Sequence, residues 1–234
     1  MTEPSRRDLL ASLSALSLVG CGTLIEKIPA APADSGAPPV DTAGTDTAPP
    51  DTAPIDVCAG EAPALPADCV PPTSTDGEGP YYRADAPFRD SLNIDGEAGL
   101  AIVVRGRVLD ATCAPLAGLI VDLWHCKQDA LYDMERPDYP CRGRLTTAED
   151  GGFCFTTLVP PAYAGGTAGE YLQPHIHCIV WRGEVRALTT QLCFPGEAHV
   201  DGTLQDKPDD LELVVEHQPD GTGRVWVDIK LGSA

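Results

Sequence analysis

Pro174-His175-Ile176-His177-Cys178-Ile179-Val180-Trp181 is the stretch on which the reading of this chain turns. Its apolar half, Cys178 to Trp181, has the composition of a buried β-strand. Side chains at i and i+2 of a strand share a face. His175 and His177 therefore project together, close enough to hold one metal ion. On their own, two histidines in a strand are as readily polar residues facing water. What separates the two readings is the company the pair keeps: Tyr132 and Tyr163, each in a turn-rich context.

Outward from this stretch the chain keeps a β character. Leu100 to Leu109 is rich in Val and Ile and reads as a strand, Asp110 to Pro115 as a turn, and Leu119 to Trp124 as a second strand. Arg144–Thr147 and Phe153–Leu158 flank Glu149-Asp150-Gly151-Gly152 and read as a hairpin around an Asp-Gly turn. Ala187–Phe194, Leu211–Glu216 and Arg224–Leu231 complete the set. The last alternates, with Val225, Val227, Ile229 and Leu231 facing inward after an Asp220-Gly221 turn. Short strands at regular spacing, with few helical patterns, predict a mostly β fold: an antiparallel β-sandwich with the metal site at strand ends and loops.

The N-terminal region differs in kind. Ser5-Arg6-Arg7-Asp8-Leu9-Leu10 is a twin-arginine pattern followed by an apolar run to Val19, and Leu18-Val19-Gly20-Cys21 resembles a bacterial lipobox. Residues 1–21 read as an export signal, with Cys21 lipidated as the mature N-terminus. Twin-arginine export carries proteins already folded, which suits a protein that loads a metal before leaving the cytoplasm. Residues 22–56, where Asp-Thr-Ala recurs at Asp41, Asp46 and Asp51, read as a disordered acidic tether. Residues 57–234 form the folded domain. The expected location is the cell envelope, with a membrane as partner through the lipid anchor.

The formal net charge of −19 argues against nucleic acid and anionic membrane faces as partners. Besides Cys21 the chain has eight cysteines, at 58, 69, 113, 126, 141, 154, 178 and 193. An even number in an exported protein reads as disulfides. The favoured pair is Cys58 with Cys69, which bracket a short Pro/Ala loop; some of the others read as buried free thiols. No paired Cys-x-x-Cys suggests a zinc ribbon.

Tyr132 and Tyr163, each taken singly, read as half-buried aromatics. Taken with the two histidines they make a donor set. Phenolate is a hard anionic oxygen donor and suits Fe(3+), a hard cation; imidazole completes the set without adding charge. Such an ion would keep both phenols deprotonated far below their free pKa of about 10.

In its ordered motifs the chain resembles the intradiol ring-cleavage dioxygenases, the family of catechol and protocatechuate dioxygenases. Glu78-Gly79-Pro80-Tyr81-Tyr82 is similar to the motif at the start of that family's domain. Gly106-Arg107-Val108 through Pro115 resembles its first core hairpin, and Trp124 with Tyr132 matches the Trp before the first ligand tyrosine. Arg142-Gly143, Asp150-Gly151 and Phe153-Cys154-Phe155 resemble the hairpin leading to the second, at Pro161-Ala162-Tyr163. Pro174-His175-Ile176-His177 matches the ligand histidines, and Thr190-Gln191-Leu192 the strand after them.

The resemblance implies a β-sandwich with iron at one edge, held by Tyr132, Tyr163, His175, His177 and a solvent molecule. It implies a small aromatic diol and O2 as substrates, cleaved between the two hydroxyl-bearing carbons with insertion of both oxygen atoms. Tyr163 would be the tyrosine that leaves the metal and takes up a proton. Pro80, Tyr81, Leu172 and Gln191 would line the substrate. One position departs: the family commonly carries an arginine three residues before the first ligand histidine, and Leu172 stands there. Arg142 and Arg144 are the candidates to supply that charge. His125 reads as a structural residue, and His199 and His217 as exposed. A reading from another class stays open, a surface-tethered binding module that keeps the fold without catalysis, as does the oligomeric state.

Overall fold

Alternating burial builds the frame. Ile102, Val104 and Val108 of β1 (Ala101–Leu109) are buried while Val103, Arg105 and Arg107 between them are partly exposed. The same period runs through β4 (Gly152–Leu158) and β11 (Gly223–Lys230). The other strands are β2 (Ile120–Trp124), β3 (Arg142–Thr146), β5 (Tyr163–Ala164), β6 (Glu170–Leu172), β7 (His175–Arg182), β8 (Val185–Cys193), β9 (Thr203–Leu204) and β10 (Glu216–His217). The computed structural model describes residues 56–65, 69–165, 170–195, 203–204 and 209–233. The export signal, nearly all of the tether and His199 lie outside the described residues.

Two four-stranded sheets, β10-β11-β1-β4 and β3-β2-β7-β8, form the sandwich; a three-stranded sheet, β5-β6-β9, stands beside it. Val104, Val108, Phe155, Val225 and Ile229 of the first sheet meet Val121, Leu123, Ile176, Cys178 and Leu192 of the second in one core. Burying each such side chain contributes about 1.5–3 kcal/mol. At Gly106 a Cβ would collide with Val227 O and the Phe153 ring, so only glycine lets β1 lie this close to its neighbours.

Most pairings are antiparallel, as the alternation predicts. β1 with β11 and β6 with β9 are parallel. The final strand therefore reaches β1 by crossing over rather than by a tight turn.

Three further expectations are corrected. The Asp150-Gly151 turn is closed, by Gly151 N–H to Ala148 O and Gly152 N–H to the Asp150 carboxylate. Its arms nevertheless do not form a hairpin ladder: β3 pairs with β2, β4 with β1, so the turn is a corner between layers. Leu211–Glu216 is not a strand; Leu211 ends a single 3-10 turn, and Leu211 and Leu213 are buried as anchors. Cys58 joins Cys154 and Cys69 joins Cys113. Cys58 lies against β4 and Cys69 against the turn after β1, so each cysteine meets a partner far off in sequence. Cys126, Cys141 and Cys178 are buried free thiols, and Cys193 is buried as well.

Candidate metal centre and substrate cavity

Register decides which side chains share the outer face of the second sheet. Arg142, Trp124, His177 and Gln191 stand in one row across β3, β2, β7 and β8, and His175 lies opposite Cys193 one step along. Directly opposite residues share a face. Ile176 and Cys178, between and beyond the histidines, point into the core instead. Strand alternation thus presents His175 and His177 together, each only 2% exposed.

The tyrosines come from outside the sheet. Tyr132 sits in the loop after β2, where Lys127 N–H bonds to Leu131 O and the Asp133 carboxylate accepts from the N–H groups of Glu135 and Arg136. Tyr163 opens β5 and pairs with Leu172 of β6. The phenol oxygens and the two Nε2 atoms converge. Tyr132 Oη lies 3.4 Å from Tyr163 Oη, 3.5 Å from His175 Nε2 and 3.1 Å from His177 Nε2. Tyr163 Oη lies 3.4 Å from His175 Nε2, and the two Nε2 atoms are 3.1 Å apart.

Four donors each about 2.0–2.1 Å from one centre would stand about 3.3 Å from one another in a tetrahedral array. The observed spacings fit a single metal ion. The His175 Nδ1–H donates to Gln173 O at 2.5 Å, which leaves the Nε2 lone pair facing the other donors. Among the described residues no group of three or more His, Cys, Asp or Glu could hold a metal ion. Any ion bound here takes the phenols, which selects a hard cation. Burial raises the pKa of both phenols. They stay protonated until a cation supplies the opposing charge.

Aromatic rings back the donors. Tyr81 stacks on Tyr132 with centroids 4.3 Å apart and an 11° tilt. Trp124 lies against His177 on the other side. Gly79 has φ +69°, and a Cβ there would stand 3.3 Å from His177 Cε1.

A cavity of about 310 Å³ opens on the cluster, lined by Gly79, Pro80, Tyr81, Tyr163, Ala164, Gly165, Leu172, His175, His177 and Gln191. Pro80, Tyr81, Leu172 and Gln191, expected along the substrate, all stand here. Gln191 Nε2 donates to Gly77 O, and its buried Oε1 has no partner among the described residues.

Arg142 and Arg144 do not line this cavity. Arg142 is buried beneath the Tyr132 loop, where Nη2 donates to Asp133 O at 3.0 Å. Burial pulls its pKa down to about 10, and the neighbouring Arg83 adds to the effect. Arg144, one pair farther along β3, donates to Ala86 O and lies over the Phe88 ring. It faces a separate cleft with Tyr82, Asp122 and Trp181. Two residues along a strand is about 7 Å, enough to move it to another pocket. His125 is buried between Cys126 O and Thr157 Oγ1, each at 2.7 Å, as a structural residue; His217 is exposed.

The contribution of Gln173 was not legible in the sequence. It stands two residues before His175, and only the fold reveals that its carbonyl holds that ring.

Comparisons with known proteins agree with this fold. Residues 77–221 match the family model described as Dioxygenase. The hydroxyquinol 1,2-dioxygenase of Rhizobium sp. (strain MTP-10005) is 30% identical over 141 residues, 52% of this chain and 48% of that protein. Catechol 1,2-dioxygenase 1 of Acinetobacter lwoffii is 31% identical over 142 residues, 51% of this chain and 45% of that protein. The chain thus spans about half the length of these curated relatives.

Among solved structures, the dioxygenase domain of a dioxygenase–carbohydrate-binding protein fusion from the cellulolytic bacterium Streptomyces sp. SirexAA-E superposes with a TM-score of 0.58 at 33% identity. It covers 70% of this chain and 100% of that one. The 3-chlorocatechol 1,2-dioxygenase of Rhodococcus opacus superposes with a TM-score of 0.60 at 26% identity, covering 69% and 73%. With most of its folded residues inside the matched model, the chain belongs to the intradiol ring-cleavage dioxygenases, the dioxygenase family that includes the catechol, chlorocatechol and hydroxyquinol 1,2-dioxygenases.

Proposed function

We propose that this domain cleaves a catechol-type ring between its two hydroxyl-bearing carbons, with Fe(3+) held by Tyr132, Tyr163, His175 and His177. The observation that carries the reading is the convergence of two phenol oxygens and two imidazole nitrogens at 3.1–3.5 Å on the wall of a diol-sized cavity. Ferric iron, when bound, supplies a hard Lewis acid that takes both substrate oxygens and readies the ring for dioxygen.

The chain's own residues divide the remaining work. Tyr163 stands in the cavity wall and is the phenol placed to give way to substrate and take up its proton. Tyr132, covered by Tyr81, is the phenol that stays. Trp124 stacks on the His177 ring, and Gly79 packs close to its Cε1. Leu172 and Pro80 make the walls apolar and keep water from the reacting ring. Gln191 offers its free acceptor oxygen to a substrate hydroxyl.

The test is purification from iron-rich cells. Tyrosinate bound to ferric iron absorbs visible light, so the protein should be red-brown, contain one iron and open the ring of catechol. A colourless protein that takes up no iron and cleaves no catechol would be a binding module on the same fold.

We further propose that the domain is exported and lipid-anchored at Cys21, which the twin-arginine pattern, the lipobox and the two disulfides support. Mass spectrometry of the membrane fraction tests it; a soluble protein with unmodified Cys21 refutes it.

A further inference from the structure

We propose that Gln173 is a positioning residue for the metal centre, fixing the ring and tautomer of His175 through a side-chain clamp completed by Glu212. This rests on the reading of His175 as a metal ligand. Gln173 is only 4% exposed, although it lies in the link between β6 and β7 rather than in a strand. Its amide nitrogen donates to Phe194 O at 2.8 Å and to Glu212 Oε1 at 3.0 Å. Both partners are oxygens, so the orientation of the amide is settled by its surroundings. Its backbone carbonyl accepts the His175 Nδ1–H at 2.5 Å.

The surrounding backbone closes the clamp. Pro174 O accepts from Phe194 N–H at 2.8 Å, and Leu213 N–H donates to Cys193 O at 2.7 Å. Cys193 stands opposite His175 across β7 and β8 and also bridges to Glu212. Pro174 restricts Gln173 to extended conformations, but that leaves its carbonyl free to swing through a range of ψ. The side-chain anchors remove that freedom. A carbonyl held in this place keeps the proton on His175 Nδ1 and the Nε2 lone pair toward Tyr132, Tyr163 and His177. An imidazole so held loses no orientational freedom when a metal binds.

The Glu212 carboxylate makes its contact a charge-assisted one. Glu212 itself is exposed and belongs to a segment far along the chain. The clamp therefore ties the 209–213 segment to a ligand of the centre. No other described contact of the Gln173 side chain gives its burial a purpose.

The test uses the full chain with Gln173→Met, which keeps length and burial but deletes both donors, and with Glu212→Ala and Glu212→Gln. Three readouts are taken. In metal-free protein, nitrogen-15 NMR reports the His175 tautomer. In iron-loaded protein, competition with a chelator reports affinity, and the tyrosinate charge-transfer band reports the ligand field. Gln173→Met should mix the His175 tautomers, weaken iron about 10-fold to 100-fold and shift the band. Glu212→Ala, a change at an exposed site that leaves the fold intact, should move all three in the same direction by less. Glu212→Gln keeps the acceptor oxygen and should restore them. The proposal is overturned if Gln173→Met and Glu212→Ala keep the wild-type tautomer, affinity and band. A lowered melting temperature with these three unchanged also overturns it, since that is a purely structural role. If wild type binds no iron at all, the functional reading fails, while the tautomer measurement still decides the clamp.

Discussion

The indole of Trp124 lies flat on the imidazole of His177, with centroids 4.8 Å apart and planes 2° from parallel. The two residues are register partners on β2 and β7, so the stack follows directly from strand pairing. Aromatic stacking adds about 0.5–1.5 kcal/mol beyond area burial. Trp124→Leu should therefore weaken iron retention about twofold to tenfold, beyond any loss of fold stability. Chelator competition on folded protein measures it; unchanged retention would show that the stack does not restrain His177.

His175→Ala should remove iron and visible colour and leave the sandwich folded, because the change empties a site beside the core. Tyr132→Phe should weaken the metal in the same way. Iron analysis with circular dichroism checks both. Retained iron in His175→Ala sinks the four-donor assignment.

Gly79→Ala places a Cβ 3.3 Å from His177 Cε1 and puts a side chain on a backbone with φ +69°. The conformational cost alone is about 1 kcal/mol, and His177 must shift to accept the new methyl. We expect lower thermal stability together with a shifted charge-transfer band. A band identical to wild type would mean that the loop yields and His177 does not.

The described cavity wall carries no cationic side chain, so a carboxylated catechol would be buried there without a counter-charge. Leu172→Arg should raise the ratio of protocatechuate to catechol cleavage about 10-fold to 100-fold, the range of a charge-assisted hydrogen bond worth 1.5–3 kcal/mol. Arg144→Ala, in the neighbouring cleft, should leave that ratio unchanged. Paired kinetics decide it; an unmoved ratio in Leu172→Arg refutes Leu172 as the selective wall.

Burial holds the His125 imidazole neutral, with a pKa of about 4 against 6.5 in the unfolded chain. The neighbouring His175 and Arg142 also oppose a charge on it, while Cys126 O partly offsets them. Between those two values the unfolded state binds more protons. Stability is therefore full above pH 6.5 and falls as the pH drops toward 4, by about 3 kcal/mol for this group. Urea unfolding of metal-free wild type and His125→Gln at pH 7, 5 and 4 should show a shallower pH slope in the variant. Parallel slopes would remove His125 from the account.

Local periodicity made much of this molecule legible. The i, i+2 rule placed His175 and His177 on one face because strand alternation is a property of the backbone, and the alternating valines of β11 faced inward for the same reason. Tyr132 and Tyr163 carried no such signal; a loop sets the first and a two-residue strand the second, and only the order of motifs along the chain pointed to them. The Asp150-Gly151 turn was visible, but the sheets its arms enter depend on β1 and β2, which are distant in sequence. Arg142 and Arg144 looked interchangeable on one strand face, yet the spacing between them sends one beneath the Tyr132 loop and the other into a second cleft. The Cys58–Cys69 expectation failed because proximity in sequence does not set pairing: Cys58 meets β4 at Cys154, and Cys69 meets the turn after β1 at Cys113.

Those sulfur links carry a consequence for how the domain is attached to what precedes it. Cys58 is bonded to Cys154 and Cys69 to Cys113, so residues 59–68 span two covalent fixing points. A protease that cuts anywhere in that span severs the polypeptide but not the attachment, because the upstream portion remains bonded through Cys154. Shedding of the domain by a cut there requires a reductant as well as a protease.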